Sequence, residues 1–236
     1  MRPGPSGPLV LLPGSGCTAA LWSRLDLPDG SVTPVLEADT LDGEVDRLLA
    51  VLPARFALAG LSLGAIVAMA LVRRAPERVS RLCVMSTNPY APTPAQHEAW
   101  AAQRVMLADV GARALQESLL PVLRSPARTD LDAEILRMAD ELGSETYAAQ
   151  CRLQETRVDE RPGLAQVHCP TLVVAARDDR LCPVERHEEI ARLVPGAELV
   201  VLDDCAHLSP LEQPKALSGH LRRWLERSFG APLRRK

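Results

Sequence analysis

One serine stands in an otherwise apolar stretch of the chain, FALAGLSLGAIVAMA, which runs from Phe56 to Ala70. This residue, Ser62, has Gly60 two positions before it and Gly64 two positions after it. The residues before it have the pattern of a short buried strand, and those after it the pattern of an apolar helix. Glycines remove the Cβ atoms that would collide where a strand turns tightly into a helix. Gly-x-Ser-x-Gly at such a turn predicts a nucleophile elbow, in which the serine side chain stands clear of the backbone.

The elbow hypothesis for Ser62 makes demands on the rest of the chain. A serine hydroxyl becomes a nucleophile only when a base takes its proton, and a carboxylate usually orients that base. The acid and a histidine should follow the serine in that order, each just after a late strand. The alternative is that Ser62 is a plain helix N-cap.

The histidine that meets this demand is His207, in VLDDCAHLSPLEQP, which lies in a loop after the last predicted strand. Of the other four, His97 lies in a helical region, His168 precedes a strand, and His187 and His220 lie inside predicted helices. We therefore predict that His207 is the base and that the other four are surface or structural histidines.

Two neighbouring aspartates, Asp178 and Asp179, follow the predicted strand TLVVAA, where the acid is expected. Asp203 and Asp204 precede His207 too closely in the same loop to reach around its ring. The residues alone leave the choice between Asp178 and Asp179 open, and the aspartate that is not the acid would be a turn former.

Attack on a carbonyl also requires N–H donors for the developing oxyanion. One donor should be the backbone N–H of Leu63, directly after the proposed nucleophile. For the other we choose the N–H of Ser15, in the Gly-rich loop LPGSG that follows the predicted strand LVLL. The alternative for PGSG is an ordinary turn.

Strand and helix patterns alternate at both ends of the chain and are interrupted by a helical block. Buried strands are predicted at LVLL, FALAGL and VSRLCVMST, and further strands at PTLVVAARDD and AELVVLDD. SVTPVLEAD is predicted as a weak strand towards an edge. This alternation predicts an α/β fold, an open and mostly parallel sheet with helices on both faces. We expect residues 1–87 and 167–236 to form this core and residues 88–166 to be a helical cap insertion.

Composition excludes several classes of protein. A chain of 236 residues with 47% hydrophobic residues fits one α/β domain with an insertion. Its 3% aromatic residues and net charge of −3 argue against a nucleic acid partner. The six cysteines lack metal-binding spacing, and neither a signal peptide nor a membrane-spanning run is evident. We expect a cytoplasmic monomer or homodimer that acts on a small molecule without membrane insertion and needs no metal or organic cofactor.

Three segments together resemble the α/β-hydrolase superfamily, and in particular its small esterase- and lactonase-like members with a helical cap. They are LVLLPGSGCTAALW, LAGLSLGAIVAMAL and PTLVVAARDDRLCPVERHEEIARLVPGAELVVLDDCAHLSPLEQP. The resemblance implies catalytic loops at the carboxyl edge of the sheet, with Ser62 as nucleophile and His207 as base. Members often read Gly-x-x-Asp where this chain has Ala176 to Asp179, so it also implies Asp179 as the acid. Many relatives have His-Gly where this chain has Pro13-Gly14.

These residues and the resemblance predict a serine hydrolase that cleaves a small carboxylic ester, thioester or lactone through an acyl-enzyme on Ser62. The same residues could instead serve carbon–carbon bond hydrolysis, lyase or acyl-transfer chemistry, and a non-catalytic binding protein could retain the pocket. Arg104, Arg113 and Arg152 of the helical block are expected to be solvated rather than to bind a substrate carboxylate.

Overall fold

The computed structural model describes residues 7–226, and a sheet of five parallel strands lies at its centre. The strands are adjacent in chain order: β1 (Leu9–Leu12), β2 (Phe56–Leu61), β3 (Val79–Met85), β4 (Thr171–Ala176) and β5 (Glu198–Leu202). Every residue of β1 to β4 is buried. Strands buried on both faces are typical of a parallel sheet that helices cover on each side, so the predicted fold class is confirmed.

Ten helices surround this sheet within the described residues. They are α1 (Leu41–Val51), α2 (Leu63–Arg74), α3 (Pro94–Asp109), α4 (Gly111–Leu123), α5 (Asp132–Leu142), α6 (Ser144–Glu155), α7 (Arg161–Leu164), α8 (Val184–Leu193), α9 (Ser209–Glu212) and α10 (Pro214–Glu226). Short 3₁₀ turns cover Ala19–Trp22 and Thr129–Leu131. Among the described residues, none of these helices has the length and apolar character needed to cross a bilayer.

Alternate side chains of the strands pack into two cores, one on each face of the sheet. Leu9 and Leu11 of β1 belong to a buried cluster that includes residues of α5 and α10. Val10 and Leu12 belong to the opposite cluster, which includes residues of α1, α2 and α8. Burial of one such side chain contributes roughly 1.5–3 kcal/mol to folding, so these two cores hold the strand ends in fixed positions.

After β1 the chain runs to one side of this strand and then returns to its other side. This reversal indicates where a ligand would bind. Val32 pairs with Val10 on one side of β1, as an isolated parallel bridge, and β2 pairs with β1 on the other side. In open α/β sheets, a crevice forms between the loops where the strand order reverses in this way. Here those loops follow Leu12 of β1 and Leu61 of β2. Leu12 pairs with Gly60, so the two strands end within one residue of each other.

Residues 88–166, named the helical segment below, hold α3 to α7 and no strand. Trp100 and Tyr147 belong to a small buried cluster formed within this segment. Ile135 and Met138 of α5 instead belong to the sheet's own core. The segment therefore has a centre of its own and also packs directly on the sheet.

Two predicted elements differ from those observed. The edge strand at SVTPVLEAD is reduced to the single bridge at Val32. One helix is predicted over PLEQPKALSGHLRRWLERS, the last two residues of which lie outside the described residues. In the structure it breaks at Gln213, which separates α9 from α10. Pro214 explains the break, because proline disfavours helical geometry in the residue before it, and Gln213 has φ −127° and ψ 50°.

Candidate active site

Ser62 occupies a strained turn between β2 and α2. Its φ is 54° and its ψ −114°, a conformation that costs a non-glycine residue about 1–3 kcal/mol. Its N–H donates to the carbonyl of Met85 (2.9 Å), and its carbonyl accepts from Thr87 Oγ1 (3.2 Å). Every other residue from 56 to 72 is buried, whereas Ser62 is partly exposed. Its side chain makes no capping hydrogen bond to α2, so the N-cap alternative finds no support in this geometry.

The two glycines beside Ser62 are required by close backbone contacts. A Cβ on Gly60 would lie 2.4 Å from the carbonyl carbon of Gly64. A Cβ on Gly64 would lie 2.0 Å from the oxygen of Leu12 and 2.7 Å from that of Pro13. The steric prediction is therefore confirmed for both glycines. Gly64 also permits something that the motif alone did not indicate, the close approach of the loop after β1.

His207 and Asp179 lie together at the ends of β5 and β4. His207 Nδ1 is 2.9 Å from Asp179 Oδ2, and both side chains are buried. The other carboxylate oxygen, Oδ1, accepts from the N–H groups of Leu181 (2.9 Å) and Cys182 (3.0 Å). Burial by itself would raise the pKa of Asp179. The charge and hydrogen bond of His207, together with the two N–H donors, outweigh burial and lower that pKa. A carboxylate in this position keeps the imidazole in one tautomer.

Among the described residues, the other aspartates near His207 do not bond its ring. Asp178 is exposed and uses its N–H to bond the carbonyl of Cys205. Asp203 pairs with Arg177, with 2.7 Å between carboxylate and guanidinium. Of the two candidates that the sequence left open, the structure brings Asp179 to His207.

The loop that carries His207 is tied to the helical segment on both sides. The N–H of Ala206 donates to the buried carboxylate of Glu212 (3.2 Å), which also accepts from the N–H of Ser125 (3.0 Å). The N–H of Leu208 donates to the carbonyl of Leu123 at the end of α4 (3.1 Å). The position of the imidazole therefore depends on backbone contacts with the residues around the end of α4.

The other histidines have the structural or surface roles predicted for them. His187 is buried in α8, and burial lowers its pKa to about 4. Its Nε2 therefore accepts from the N–H of Thr87 (2.9 Å), while Nδ1 faces the carbonyl of Pro183 (3.2 Å). The remaining three do not line the cavity described below: His97, His168 and His220.

The loop after β1 lies against the elbow. A Cβ on Gly14 would be 3.5 Å from the Cβ of Ser62, so the two turns are in contact. Leu63 is the first residue of α2, and its N–H therefore has no partner within the helix. Within residues 7–226, the N–H groups of Ser15 and Leu63 make no hydrogen bond. Two free donors near Ser62 are the arrangement expected of an oxyanion hole.

Gln150 of α6 holds this loop, a contact that sequence reasoning missed. Its Oε1 accepts from the N–H of Gly16 (2.9 Å), and its Nε2 donates to the carbonyl of Leu36 (2.9 Å). Gln150 is fully buried, and Gly16 has φ +71°, a conformation that favours glycine. No local motif marks Gln150, because its partners are more than 100 positions away in the chain.

A cavity of about 250 Å³ joins these elements. Ser15, Ser62 and His207 line it, together with residues of the helical segment: Trp100, Gln103, Tyr147, Gln154 and Arg157. Asp179 is not at the wall and lies behind His207. The volume of the cavity is near the lower end of the range for ligand pockets. The site therefore suits a small molecule or one end of a larger one.

The thiols at this cavity are poor nucleophiles. Cys17 and Cys182 line it. Burial raises the pKa of Cys17 to about 12 and also raises that of Cys182, so both stay protonated at neutral pH. Donor atoms of Cys182, Asp179 and His207 lie within 4.8 Å of one another. A metal ion would need a free carboxylate and a thiolate, but Asp179 already bonds His207 and the Cys182 thiol is protonated. Asp179 and His207 are therefore better suited to act as an acid–base pair beside a neutral Cys182.

The arginines of the helical segment divide into paired and unpaired groups. Arg104, Arg113 and Arg152 each form an ion pair, with Glu155, Asp140 and Asp39 in that order. This agrees with the prediction that none of the three binds a substrate carboxylate. Arg157, which the sequence did not single out, is buried and lines the cavity.

Comparisons with known proteins agree with the fold described above. The sequence model of a family described as alpha/beta hydrolase fold matches residues 12–214. The chain is 30% identical to the pimeloyl-[acyl-carrier protein] methyl ester esterase of Aromatoleum aromaticum, over 88% of this chain and 93% of that protein. A thermophilic esterase from Thermogutta terrifontis, solved with malate bound, has a TM-score of 0.85 and 26% identity, over 93% of this chain and 89% of the other. The enol-lactonase from Burkholderia xenovorans LB400 shares the fold, with a TM-score of 0.83 and 21% identity, over 93% and 92% of the two chains.

Proposed function

The chain belongs to the α/β-hydrolase family, and we propose that it is a serine esterase that forms an acyl-enzyme on Ser62. It is a hydrolase that acts on ester bonds, the activity named for its relative at 30% identity and for the Thermogutta terrifontis esterase. The proposed substrate is a small carboxylic ester, thioester or lactone. Because the relative at 30% identity is named as a methyl ester esterase, methyl esters are the first substrates to test.

The first half of the proposed reaction acylates the serine. Ser62 Oγ attacks the carbonyl carbon of the ester, and His207 Nε2 takes the hydroxyl proton as the new bond forms. Asp179 holds His207 through Nδ1–H and stabilises the imidazolium. The N–H groups of Ser15 and Leu63 bind the oxyanion of the tetrahedral intermediate. When the intermediate collapses, His207 gives its proton to the departing alcohol.

The second half releases the acyl group. Neutral His207 takes a proton from a water molecule, whose oxygen attacks the acyl carbon. The oxyanion uses the same two N–H donors, and collapse returns the proton from His207 to Ser62. The products are an acid and an alcohol, and the residues return to their starting protonation states.

The helical segment is proposed to be the cap over this site and to choose the substrate. Ten residues of this segment, among them Trp100 and Tyr147, line the cavity that holds Ser62 and His207. Trp100 and Tyr147 also belong to the segment's own buried cluster, which packs these two wall residues against their neighbours. A small, partly apolar cavity favours a short acyl chain.

One observation carries the proposal: a partly exposed serine at positive φ shares a small cavity with a histidine bonded to a buried carboxylate. A serine that acted only as a helix cap would have no need of this strained conformation. A non-catalytic homologue would have no need of the Asp179–His207 pair, whose burial is costly without a use.

The test pairs covalent labelling with turnover. Wild type, Ser62→Ala and the control Ser23→Ala, which replaces an exposed serine bonded to Glu134, are treated with a fluorescent serine-directed phosphonate. The same proteins are assayed on methyl esters, p-nitrophenyl esters and lactones. We expect labelling and turnover in wild type and Ser23→Ala, with turnover lower on the order of 10³-fold or more in Ser62→Ala.

Each other outcome has a definite meaning. Folded wild type that neither labels nor turns over any ester would refute the proposal in favour of a binding protein. Labelling without ester turnover would favour lyase or carbon–carbon chemistry at the same serine. Labelling that persists in Ser62→Ala would show that the nucleophile is a different residue.

A further inference from the structure

Arg157 lies between α6 and α7, is 6% exposed and lines the cavity that also holds Ser62 and His207. Arginine is among the residues least often buried without a partner. A buried guanidinium at the wall of a substrate cavity therefore requires an explanation.

The carboxylates nearest to Arg157 in the chain are all engaged with other arginines. Glu155 pairs with Arg104, Asp159 with Arg161 (2.6 Å) and Glu160 with Arg73 (2.8 Å). Among residues 7–226, no carboxylate lies within ion-pair distance of Arg157, as the full set of ion pairs in this part of the chain shows. The protein thus provides acids for the neighbouring arginines and leaves this one without a counter-ion.

The guanidinium is nevertheless held firmly by neutral groups. Its Nη2 donates to Gln96 Oε1 (3.0 Å), which also accepts from the N–H of Thr93 (3.0 Å) in the capping box of α3. The guanidinium carbon lies 5.3 Å from the ring centroid of Trp100, in cation–π geometry. Its Nε is buried and has no hydrogen-bond partner. The side chain is therefore preorganised, charged and short of one acceptor.

Burial lowers the pKa of Arg157, but a guanidinium stays protonated in proteins. An uncompensated buried charge is costly, and a ligand of opposite charge would recover that cost. One guanidinium carries a single positive charge, which matches one carboxylate. A phosphate monoester would bring a charge nearer −2 and leave an excess negative charge in a small, partly apolar cavity.

We propose that Arg157 binds a carboxylate of the substrate, so that the natural substrate is an ester with a free carboxylate at one end. This inference rests on the proposed esterase function and specifies its substrate class. The ester carbonyl lies at Ser62, and the carboxylate lies at the wall formed by Arg157 and Gln96. Half-esters of short dicarboxylic acids and acyl esters of hydroxy acids both have this form.

The first experiment compares charged and neutral esters of matched size. Monomethyl esters of dicarboxylic acids from succinate to pimelate are assayed beside their dimethyl esters, by methanol release. In the second series the carboxylate belongs to the alcohol part of the ester. The acetyl ester of 4-hydroxybutyrate is therefore assayed beside butyl acetate. We expect wild type to prefer the charged member of one of these two series by at least about 10-fold in kcat/KM.

The variants assign that preference to one residue. In Arg157→Gln we expect kcat/KM for the preferred charged ester to fall by about 10- to 100-fold, mainly through KM, as expected for lost charge-assisted hydrogen bonds. The neutral ester should change by less than about 3-fold. Arg157→Lys keeps the charge and should retain part of the preference. The control Arg113→Gln, which replaces an exposed arginine paired with Asp140 outside the cavity, should behave as wild type.

The proposal is overturned if wild type cleaves charged and neutral esters equally well. It is also overturned if Arg157→Gln loses both activities to the same extent while its thermal melt shows a folded protein. Equal losses would mean that Arg157 supports the structure of the cavity only.

A binding measurement separates this proposal from the esterase function. Glutarate is titrated calorimetrically into wild type and Arg157→Gln, and we expect at least about 10-fold weaker binding by the variant. A protein that binds glutarate through Arg157 but neither labels with phosphonate nor cleaves any ester would refute the esterase and support the carboxylate site. Equal glutarate binding by the two proteins, or tighter binding of inorganic phosphate than of glutarate, would overturn the carboxylate site.

Discussion

His187 should make the stability of this protein depend on pH between about 4 and 6.5. It lies in α8, where it is fully buried, and its Nε2 accepts from the N–H of Thr87. Burial lowers its pKa from the usual 6.5 to about 4. The hydrogen bond to Pro183 and the charge of Asp179 raise this pKa, but only in part, and His207 lowers it further. A protonated ring would turn Nε2 into a second donor facing the Thr87 N–H, which adds to the cost of charging it.

The magnitude follows from the two pKa values. The pKa of His187 differs by roughly 2.5 between the unfolded and folded states, which corresponds to about 3 kcal/mol of stability. Above pH 6.5 both states are neutral at this residue, and the contribution is fully present. As the pH falls from 6.5 to 4, the unfolded chain binds a proton that the native protein does not, so the free energy of unfolding decreases. Below pH 4 both states are protonated, and His187 causes no further loss.

Urea unfolding of wild type and His187→Gln at pH steps from 7.5 to 4 tests this reasoning. The glutamine offers an oxygen to the Thr87 N–H and has no charge to gain, while the other titrating groups are common to both proteins. The wild type should therefore lose about 3 kcal/mol more than the variant over this range. Parallel pH profiles for the two proteins would refute the claim that His187 is buried and neutral, whatever the variant's stability at pH 7.5.

Three further predictions concern the turn, the oxyanion loop and the thiols. Gly64→Ala should unfold the protein or destabilise it by at least about 3 kcal/mol, because the new methyl overlaps backbone oxygens. Gly219→Ala in α10 should instead stabilise it by up to about 1 kcal/mol. Thermal melts compare the two variants, and equal melting temperatures would contradict the steric argument. Gln150→Ala should lower kcat at least about 10-fold and slow phosphonate labelling, whereas the control Gln166→Ala, at an exposed position, should do neither. Unchanged labelling of Gln150→Ala would mean that Gln150 does not position the loop after β1. Iodoacetamide at pH 7 should leave activity intact because the Cys17 thiol is protonated; inactivation with alkylation of Cys17, detected by mass spectrometry, would contradict this.

The part of the site that could be predicted from sequence is the part fixed by local chain geometry. Gly60 and Gly64 mark the elbow because a tight strand-to-helix turn excludes Cβ atoms, and the contacts of both agree with that reason. His207 could be chosen because a loop directly after a strand is a local property. The structure brings Asp179 to His207, whereas the residues alone left Asp178 equally possible.

The part that sequence did not predict depends on contacts between distant segments. In the sequence, nothing distinguishes Arg157 from the other arginines of the helical segment. Only the structure shows that Glu155 and Glu160 form ion pairs with other arginines. Gln150 acquires its role from Gly16, more than 100 positions earlier. Pairing and burial of this kind follow from packing and leave no periodicity or motif to recognise.

The hydrogen bonds that join the helical segment to the sheet loops limit how this protein can be recombined with its relatives. Glu212 bonds both Ser125 and the residue before His207, and Gln150 bonds the loop after β1. A chimera that exchanged residues 88–166 alone would separate each of these partners and would misplace the base and the oxyanion donors together. The smallest unit that can be transplanted intact therefore includes the helical segment with the loops after β1 and β5, and altering specificity is better attempted at single wall positions such as Trp100.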